Sequence, residues 1–191
     1  MKKRNIITVA GVLGSGKSTA AKNVARALGY PHYSAGDFMR DMAKERGITL
    51  AELNVLAEND EAVDKEIDRR QKEFMDSHDN FVIDSRLGWW LAPDSFKVFL
   101  ALDLDTAAER VLADKANNPN RLSEDKPVAT SEEVKASLSS RAASERARYM
   151  KYYDIADHQN PSNFDLVIDT KVNGIEQVAE MIVAGYKAWQ A

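Results

Sequence analysis

Ile6-Ile-Thr-Val-Ala-Gly11-Val-Leu-Gly14-Ser15-Gly16-Lys17-Ser18-Thr19 decides how the rest of the chain is read. Residues 6 to 10 are apolar or β-branched and nearly continuous, the signature of a strand buried on both faces. Gly11 to Ser18 then fit G-x-x-x-x-G-K-[ST]. The glycines let the backbone curl so that several N–H groups converge on one point. A helix starting at Lys17 adds a partial positive charge at the same point. Such a turn is built to hold phosphates. Lys17 can reach the β and γ phosphates of a nucleotide, and the Ser18 hydroxyl is the expected Mg²⁺ ligand. The alternative is a glycine-rich turn without a ligand.

Outward from this stretch the chain alternates short strands and helices. Phe81–Ile83, Val98–Leu102 and Leu166–Ile168 repeat the buried-strand pattern, with a shorter candidate at 31–34. Strands alternating with helices imply an α/β protein with a parallel sheet. The first helix, Lys17 to about Leu28, meets a natural left-handed cap at Gly29. Capping boxes predict helix starts at Thr49-x-x-Glu52, Thr106-x-x-Glu109, Thr130-x-x-Glu133 and Asn173-x-x-Glu176. The third of these opens a long helix reaching about Tyr149. The stretch 117–127 carries two prolines and no apolar periodicity, and is long enough for a lid.

Composition sets outer bounds. The chain has 191 residues, 26 Lys plus Arg and 30 Asp plus Glu, a net charge of −4. This length suits one domain with its own core. A mildly acidic protein is not a nucleic-acid coat protein, and no nucleic acid is expected as a partner. There is no cysteine, so disulfides, thiolate metal sites and cysteine nucleophiles are out, which fits the cytoplasm. Met1-Lys-Lys-Arg4 followed by an apolar run imitates a secretory signal. The run ends in the glycine turn without a cleavage pattern, and no segment approaches membrane length. A monomer is the default, since no apolar heptad or interface stripe stands out.

The phosphate-binding turn alone names no reaction. Asp84-Ser-Arg-Leu-Gly88 has one residue too many for a switch GTPase, and Asp84 is followed by Ser85 and Arg86 rather than by the glutamate a motor ATPase would use to activate water. Transfer of a phosphoryl group to a substrate therefore fits better than hydrolysis. Three arginine groups stand where a second anionic substrate needs them. Ser34-Ala-Gly-Asp37-Phe-Met-Arg40 follows the short second strand, at the carboxyl edge of the sheet. Arg40 can fork onto a phosphate or be a surface arginine. Asp84-Ser-Arg86 closes the third strand; Asp84 can hold Mg²⁺ through water or cap a turn, and Arg86 can grip phosphate. Arg141, Glu145 and Arg148 share one helix face at +4 and +7, with Glu145 able to orient both guanidinium groups. That face is a lid charge cluster or a plain salt-bridged surface. His32, His78 and His158 follow no metal spacing and read as structural or solvent-facing. Trp89-Trp90 either stacks on a base or packs beneath the site. The acidic charges of 52–79 read mostly as a solvated helix face.

In this order the phosphate-binding turn, Ser34-Ala-Gly-Asp-Phe-Met-Arg40, Val82-Ile-Asp-Ser-Arg86-Leu87 and Arg141-x-x-x-Glu145-x-x-Arg148 resemble the nucleoside monophosphate kinases. Met42-Ala-Lys-Glu-Arg-Gly47, Glu66-Ile-Asp-Arg-Arg-Gln71 and Phe164-Asp-Leu-Val-Ile-Asp169 narrow the likeness to archaeal-type cytidylate kinases. The resemblance implies a three-layer α/β/α P-loop NTPase fold with a central parallel sheet, a helical monophosphate-binding arm near 35–79 and a lid region near 111–148. It implies transfer from ATP to CMP, with dCMP accepted, ATP as phosphoryl donor and Mg²⁺ as the ion. Gly11, Gly14, Ser15, Gly16, Lys17, Ser18 and Thr19 would cradle ATP. Ser34, Asp37, Arg40, Asp84 and Arg86 would hold the acceptor. Arg141 and Arg148 would be lid arginines acting in catalysis with Lys17 and Arg86, and Arg110 would approach the adenine. Arg121 and Lys126 are further candidates for ATP contact, and Asp64, Asp68 and Arg69 for reading the base. Rival readings are a kinase for AMP, UMP, shikimate or dephospho-coenzyme A, or a nucleotide-dependent regulator that transfers nothing.

Overall fold

A computed structural model describes residues 3–117 and 130–191. Its centre is a five-stranded, wholly parallel sheet in the order β2-β3-β1-β4-β5. The strands are β1 (Ile6–Gly11), β2 (His32–Ser34), β3 (Phe81–Asp84), β4 (Phe96–Ala101) and β5 (Leu166–Asp169). The apolar runs read from sequence each form a strand, shifted by at most two residues at either end. The helices are α1 (Lys17–Leu28), α2 (Ala35–Arg46), α3 (Leu50–Asn59), α4 (Glu61–Ser77), α5 (Gly88–Leu91), α6 (Leu104–Asn117), α7 (Ser131–Tyr153) and α8 (Ile175–Gln190).

Period-two alternation along β1 explains the layering. Ile7 and Val9 face α1 and α8, packing with Val24, Val98, Leu100 and Ile182. Ile6 points the other way, into a cluster with Phe81, Ile83, Leu91 and Tyr149. Burying both faces requires helices on both, hence three layers. Helices α2, α3 and α4 project between β2 and β3 and carry a small core of their own: Met42, Ala43, Leu53, Ala57, Val63 and Ile67. Among the described residues, no helix is long and apolar enough to cross a membrane.

Capping chemistry sets most helix ends. Gly29 ends α1 with φ 68°, as the sequence predicts. Thr49 and Glu52 form a reciprocal capping box on α3, and Thr130 and Glu133 form one on α7. Two predicted starts are corrected. Asp103 launches α6: its carboxylate accepts from the Thr106 N–H (2.9 Å) and hydroxyl (2.8 Å), so the helix starts two residues before Thr106. Asn173 does not cap α8; it donates to the Asp169 carbonyl (2.7 Å), and Gly174 stands at the helix start with no side-chain cap. In both places a competing local hydrogen bond wins. Helix α7 runs to Tyr153, four residues beyond the expected end, and stops where Asp154 turns left-handed at φ 57°. The proline-containing stretch 117–127, with Arg121 and Lys126, lies almost wholly outside the described residues.

Candidate active site

The central strand β1 delivers the glycine turn to the carboxyl edge of the sheet, between β3 and β4, where the chain crosses from one side to the other. Gly14 sits at φ 81°, and a Cβ there would stand 2.9 Å from the Ala107 carbonyl oxygen, so a side chain meets both strain and a clash. Gly16, at φ 80°, precedes α1 and offers no side-chain cap. The first-turn N–H groups of α1 therefore face outward with no side-chain acceptor of their own, an arrangement suited to an anion. Ser15 is buried, and its hydroxyl has no hydrogen-bond partner. Thr19 is exposed one residue past Ser18.

Parallel register brings the next residues alongside. Asp84, the last residue of β3, pairs with Val9 on one side and Ser34 on the other. It is 6% exposed, and its Oδ1 accepts from the Ser18 hydroxyl at 3.0 Å. A hydroxyl and a carboxylate side by side are hard oxygen donors of the kind Mg²⁺ takes alongside nucleotide phosphates. Among the described residues no cluster of three or more His, Asp or Glu forms a self-sufficient metal cage. The donor set fits Mg²⁺ held jointly with a substrate.

Burial and the neighbouring Arg86 charge push the Lys17 amine down to about 8, against the opposing pull of Asp84 and Glu145; Arg141 also lowers it. Lys17, Arg86, Arg141, Asp84 and Glu145 thus form one charged cluster. Its hub is Glu145, which is 5% exposed. Arg86 Nε stands 3.0 Å from Glu145 Oε2, and Arg141 Nε stands 3.4 Å from Oε1. A cavity of ≈ 200 Å³ opens here, lined by Gly11, Arg86, Leu104, Ala107, Ser139 and Glu145 among others.

The expectation that Glu145 orients both Arg141 and Arg148 is half corrected. Arg148 turns away to Asp64 on α4, with Nη1 2.8 Å from Oδ1. Its Nε and the Asp64 Oδ2 are buried without hydrogen-bond partners. Helical spacing put Arg148 on the correct face; it could not show that α4 would bring a closer carboxylate. Arg110 donates to the Thr170 carbonyl (2.7 Å) and approaches its hydroxyl (3.4 Å), at the end of β5.

The arm begins at a capping box in which Ser34 and Asp37 bond reciprocally. Burial acts to raise the Asp37 carboxyl, but hydrogen bonds from Arg40 and Ser34 outweigh it and hold the group below its ordinary value. Arg40 folds onto Asp37 at 2.5 Å and is exposed. On α4 the reading of a solvated acidic face holds for only one side. Arg69 is exposed and pairs with Glu66 and Glu73. Asp64, Asp68 and Gln71, at +4 and +7, face inward. Burial pushes Asp68 up to about 6, against a hydrogen bond from the Tyr153 hydroxyl at 2.8 Å. Gln71 is fully enclosed and accepts from Ser85 at 2.8 Å, joining the arm to the turn that carries Arg86.

Trp89 is partly buried, whereas Trp90 is 38% exposed. Trp89 lies edge-on to Phe164, and Trp90 tilts onto Tyr153. His32 is the site residue that sequence reasoning passed over. Its Nε2 is 2.8 Å from Asp84 Oδ2. The available signal was that β2 and β3 both end near the phosphate-binding turn, which places residues 52 positions apart within bonding distance. A search for local metal spacing cannot see this. His158 is buried, 3.9 Å from Glu145.

This geometry agrees with sequence comparison. A family model described as the cytidylate kinase-like family matches residues 6–172. The chain belongs to that family. A cytidylate kinase of Natronomonas pharaonis is 39% identical over 186 residues, covering 95% of this chain and 90% of the relative. One of Haloarcula marismortui is 40% identical over 167 residues, covering 86% and 80%. More distant solved structures share the fold. A gluconokinase from Sinorhizobium meliloti aligns with a TM-score of 0.62 at 17% identity, covering 100% of this chain and 95% of that one. A shikimate kinase from Bacteroides thetaiotaomicron aligns with a TM-score of 0.62 at 16% identity, covering 97% and 98%. Together with the five-stranded parallel sheet, these likenesses make the architecture a three-layer α/β/α P-loop kinase fold.

Proposed function

We propose that the protein transfers the γ-phosphoryl group of ATP to the phosphate of CMP, and of dCMP, giving the corresponding diphosphate and ADP. The observation that carries this reading is the meeting, at one sheet edge, of a phosphate-binding turn and separate arginines, Arg86 from the turn after β3 and Arg141 from α7. A protein that only binds one nucleotide as a switch needs no second anion pocket. The choice of CMP rests on family membership.

In this reading Gly11, Gly14, Ser15, Gly16, Lys17, Ser18 and Thr19 receive the ATP phosphates, and Arg110 stands on the adenine side. Residues 35–79 form the acceptor arm: Ser34 and Asp37 fix its first turn, and Arg40 and Arg86 grip the CMP phosphate. The lid region would fall near 111–148, of which 118–129 lie outside the described residues. Ser18 and Asp84 would hold Mg²⁺, which when bound would neutralise phosphate charge. The acceptor needs no general base. A phosphate ester's second pKa is about 6, so its oxygen is already ionised at neutral pH. What remains is positioning and charge. Lys17, Arg86, Arg141 and Arg148 neutralise the oxygens of the transferring group, which carry the most charge in the transition state. Phosphate binding favours the charged form of Lys17, offsetting the burial that lowers its pKa. Closure of the lid excludes water, the competing acceptor.

The test is ADP formation with ATP and a panel of acceptors: CMP, dCMP, UMP, AMP, shikimate, gluconate and dephospho-coenzyme A. CMP and dCMP should give the highest kcat/KM. Preference for any other acceptor in the panel would overturn the assignment.

A further inference from the structure

We propose that His32 is a positioning residue that fixes the Asp84 carboxylate for the metal–nucleotide complex. The inference deepens the proposed function, because it rests on Ser18 and Asp84 holding the divalent cation. Asp84 is 6% exposed, and each of its oxygens has a different partner. Oδ1 accepts from the Ser18 hydroxyl at 3.0 Å, and Oδ2 meets His32 Nε2 at 2.8 Å. A carboxylate offers only acceptors, so the imidazole Nε2–H is the donor. The three side chains therefore form a chain from the first turn of α1, through the end of β3, to β2.

Removing the donor leaves Oδ2 buried without a partner, an arrangement that costs free energy unless the carboxylate rotates. Rotation about χ1 or χ2 would carry Oδ1 away from Ser18. The imidazole thus holds the face of the carboxylate that meets the cation. Carboxylates and imidazoles that stand behind metal ligands act in this way in many proteins, and their loss typically weakens metal binding about 10- to 100-fold. His32 has a second use through its place in the chain. It precedes by two residues Ser34, whose capping box starts the acceptor arm, so one contact aligns the donor and acceptor halves of the site.

His32 stands on an edge strand, with its side chain 15% exposed, so substitution does not open the core. His32→Gln places an amide N–H near the position of Nε2; His32→Met has the same length and no donor. Mn²⁺ binding is read by electron paramagnetic resonance in the presence of ADP, and ADP binding alone is measured in EDTA. His32→Met should weaken Mn²⁺ about tenfold or more with ADP affinity in EDTA unchanged, and His32→Gln should stay close to wild type. His32→Ala replaces the methionine variant if that chain does not fold. Wild-type Mn²⁺ affinity in the donor-less variant overturns the proposal. So does an equal loss in both variants, which would assign the effect to packing. CMP phosphorylation by the wild type is measured in parallel. If it is absent, the functional reading fails, and the Mn²⁺ comparison still decides the role of His32.

Discussion

Lys17 at the phosphate-binding turn and Asp68 on the arm are both half-buried ionisable groups pushed towards neutrality by burial, the lysine down to about 8 and the aspartate up to about 6. Their surroundings differ. Lys17 sits among two arginines and two carboxylates, at the outlet of a turn whose N–H groups lack side-chain acceptors. Asp68 accepts the Tyr153 hydroxyl, beside an Asp64–Arg148 pair. The first region gathers donors that suit an anion; in the second, Asp64 and Asp68 already have partners within the protein, and Arg148 must leave Asp64 to reach a phosphate. Residues 1–47 carry 9 basic and 3 acidic side chains, and residues 52–79 carry 4 and 10, so the overall −4 conceals local balances of +6 and −6. Charge gathered at a few points, rather than net charge, equips the molecule for two small phosphorylated ligands.

The contrast is broken most severely at Lys17. Lys17→Met should lower kcat by about 10³-fold while far-ultraviolet circular dichroism is unchanged. The native lysine also sets a pH signature. Its pKa in the folded state, about 8, lies below its ordinary value of 10.5. Between these values the unfolded chain binds more protons, so this group makes stability rise with pH over that window. Activity should fall as pH passes about 8 and the free enzyme loses the charge. Denaturant titrations across pH 8 to 10.5 should show a shallower rise in the methionine variant.

Arg148→Ala comes next. It should depress kcat by about 10²-fold with little change in KM for ATP. An effect confined to ATP affinity would remove Arg148 from the transition state.

On the arm the expected effects are on stability and are smaller. Asp68→Asn should stabilise the fold at pH 7 by on the order of 2 kcal/mol, since an acid raised from 3.8 to about 6 costs stability once ionised. The gain should fade as pH falls through 6 towards 3.8, which thermal melts at pH 7 and pH 4.5 would show. The smallest effect belongs to the outer face. Arg69→Ala removes exposed ion pairs with Glu66 and Glu73 and should leave kcat, both KM values and Tm unchanged.

Much of the fold was legible because its signals are local. The apolar runs of β1, β3, β4 and β5 form strands as residue type suggests, although β5 lies at the sheet edge and buries only Ile168, and Gly29, Thr49 and Thr130 mark helix ends through chemistry within three or four residues. Asp103 and Asn173 show where such signals compete: two polar residues near a helix start can each cap, and only the structure decides between them. The site was legible in its residues more than in its pairings. Ser18, Asp84, Arg86 and Arg141 meet in one cluster, as motif chemistry suggests. Yet Arg148 pairs with Asp64, His32 with Asp84 and Gln71 with Ser85 across 84, 52 and 14 positions, because strand register and the return of α4 bring them together. Periodicity on a single element contains no such information.

Direct transfer is tested most plainly by ³¹P nuclear magnetic resonance of the wild-type protein with MgATP and CMP. The expected result is paired growth of ADP and CDP resonances with no comparable inorganic phosphate. Growth of ADP with inorganic phosphate while CMP persists would contradict the account, because water rather than the bound monophosphate would then be the acceptor.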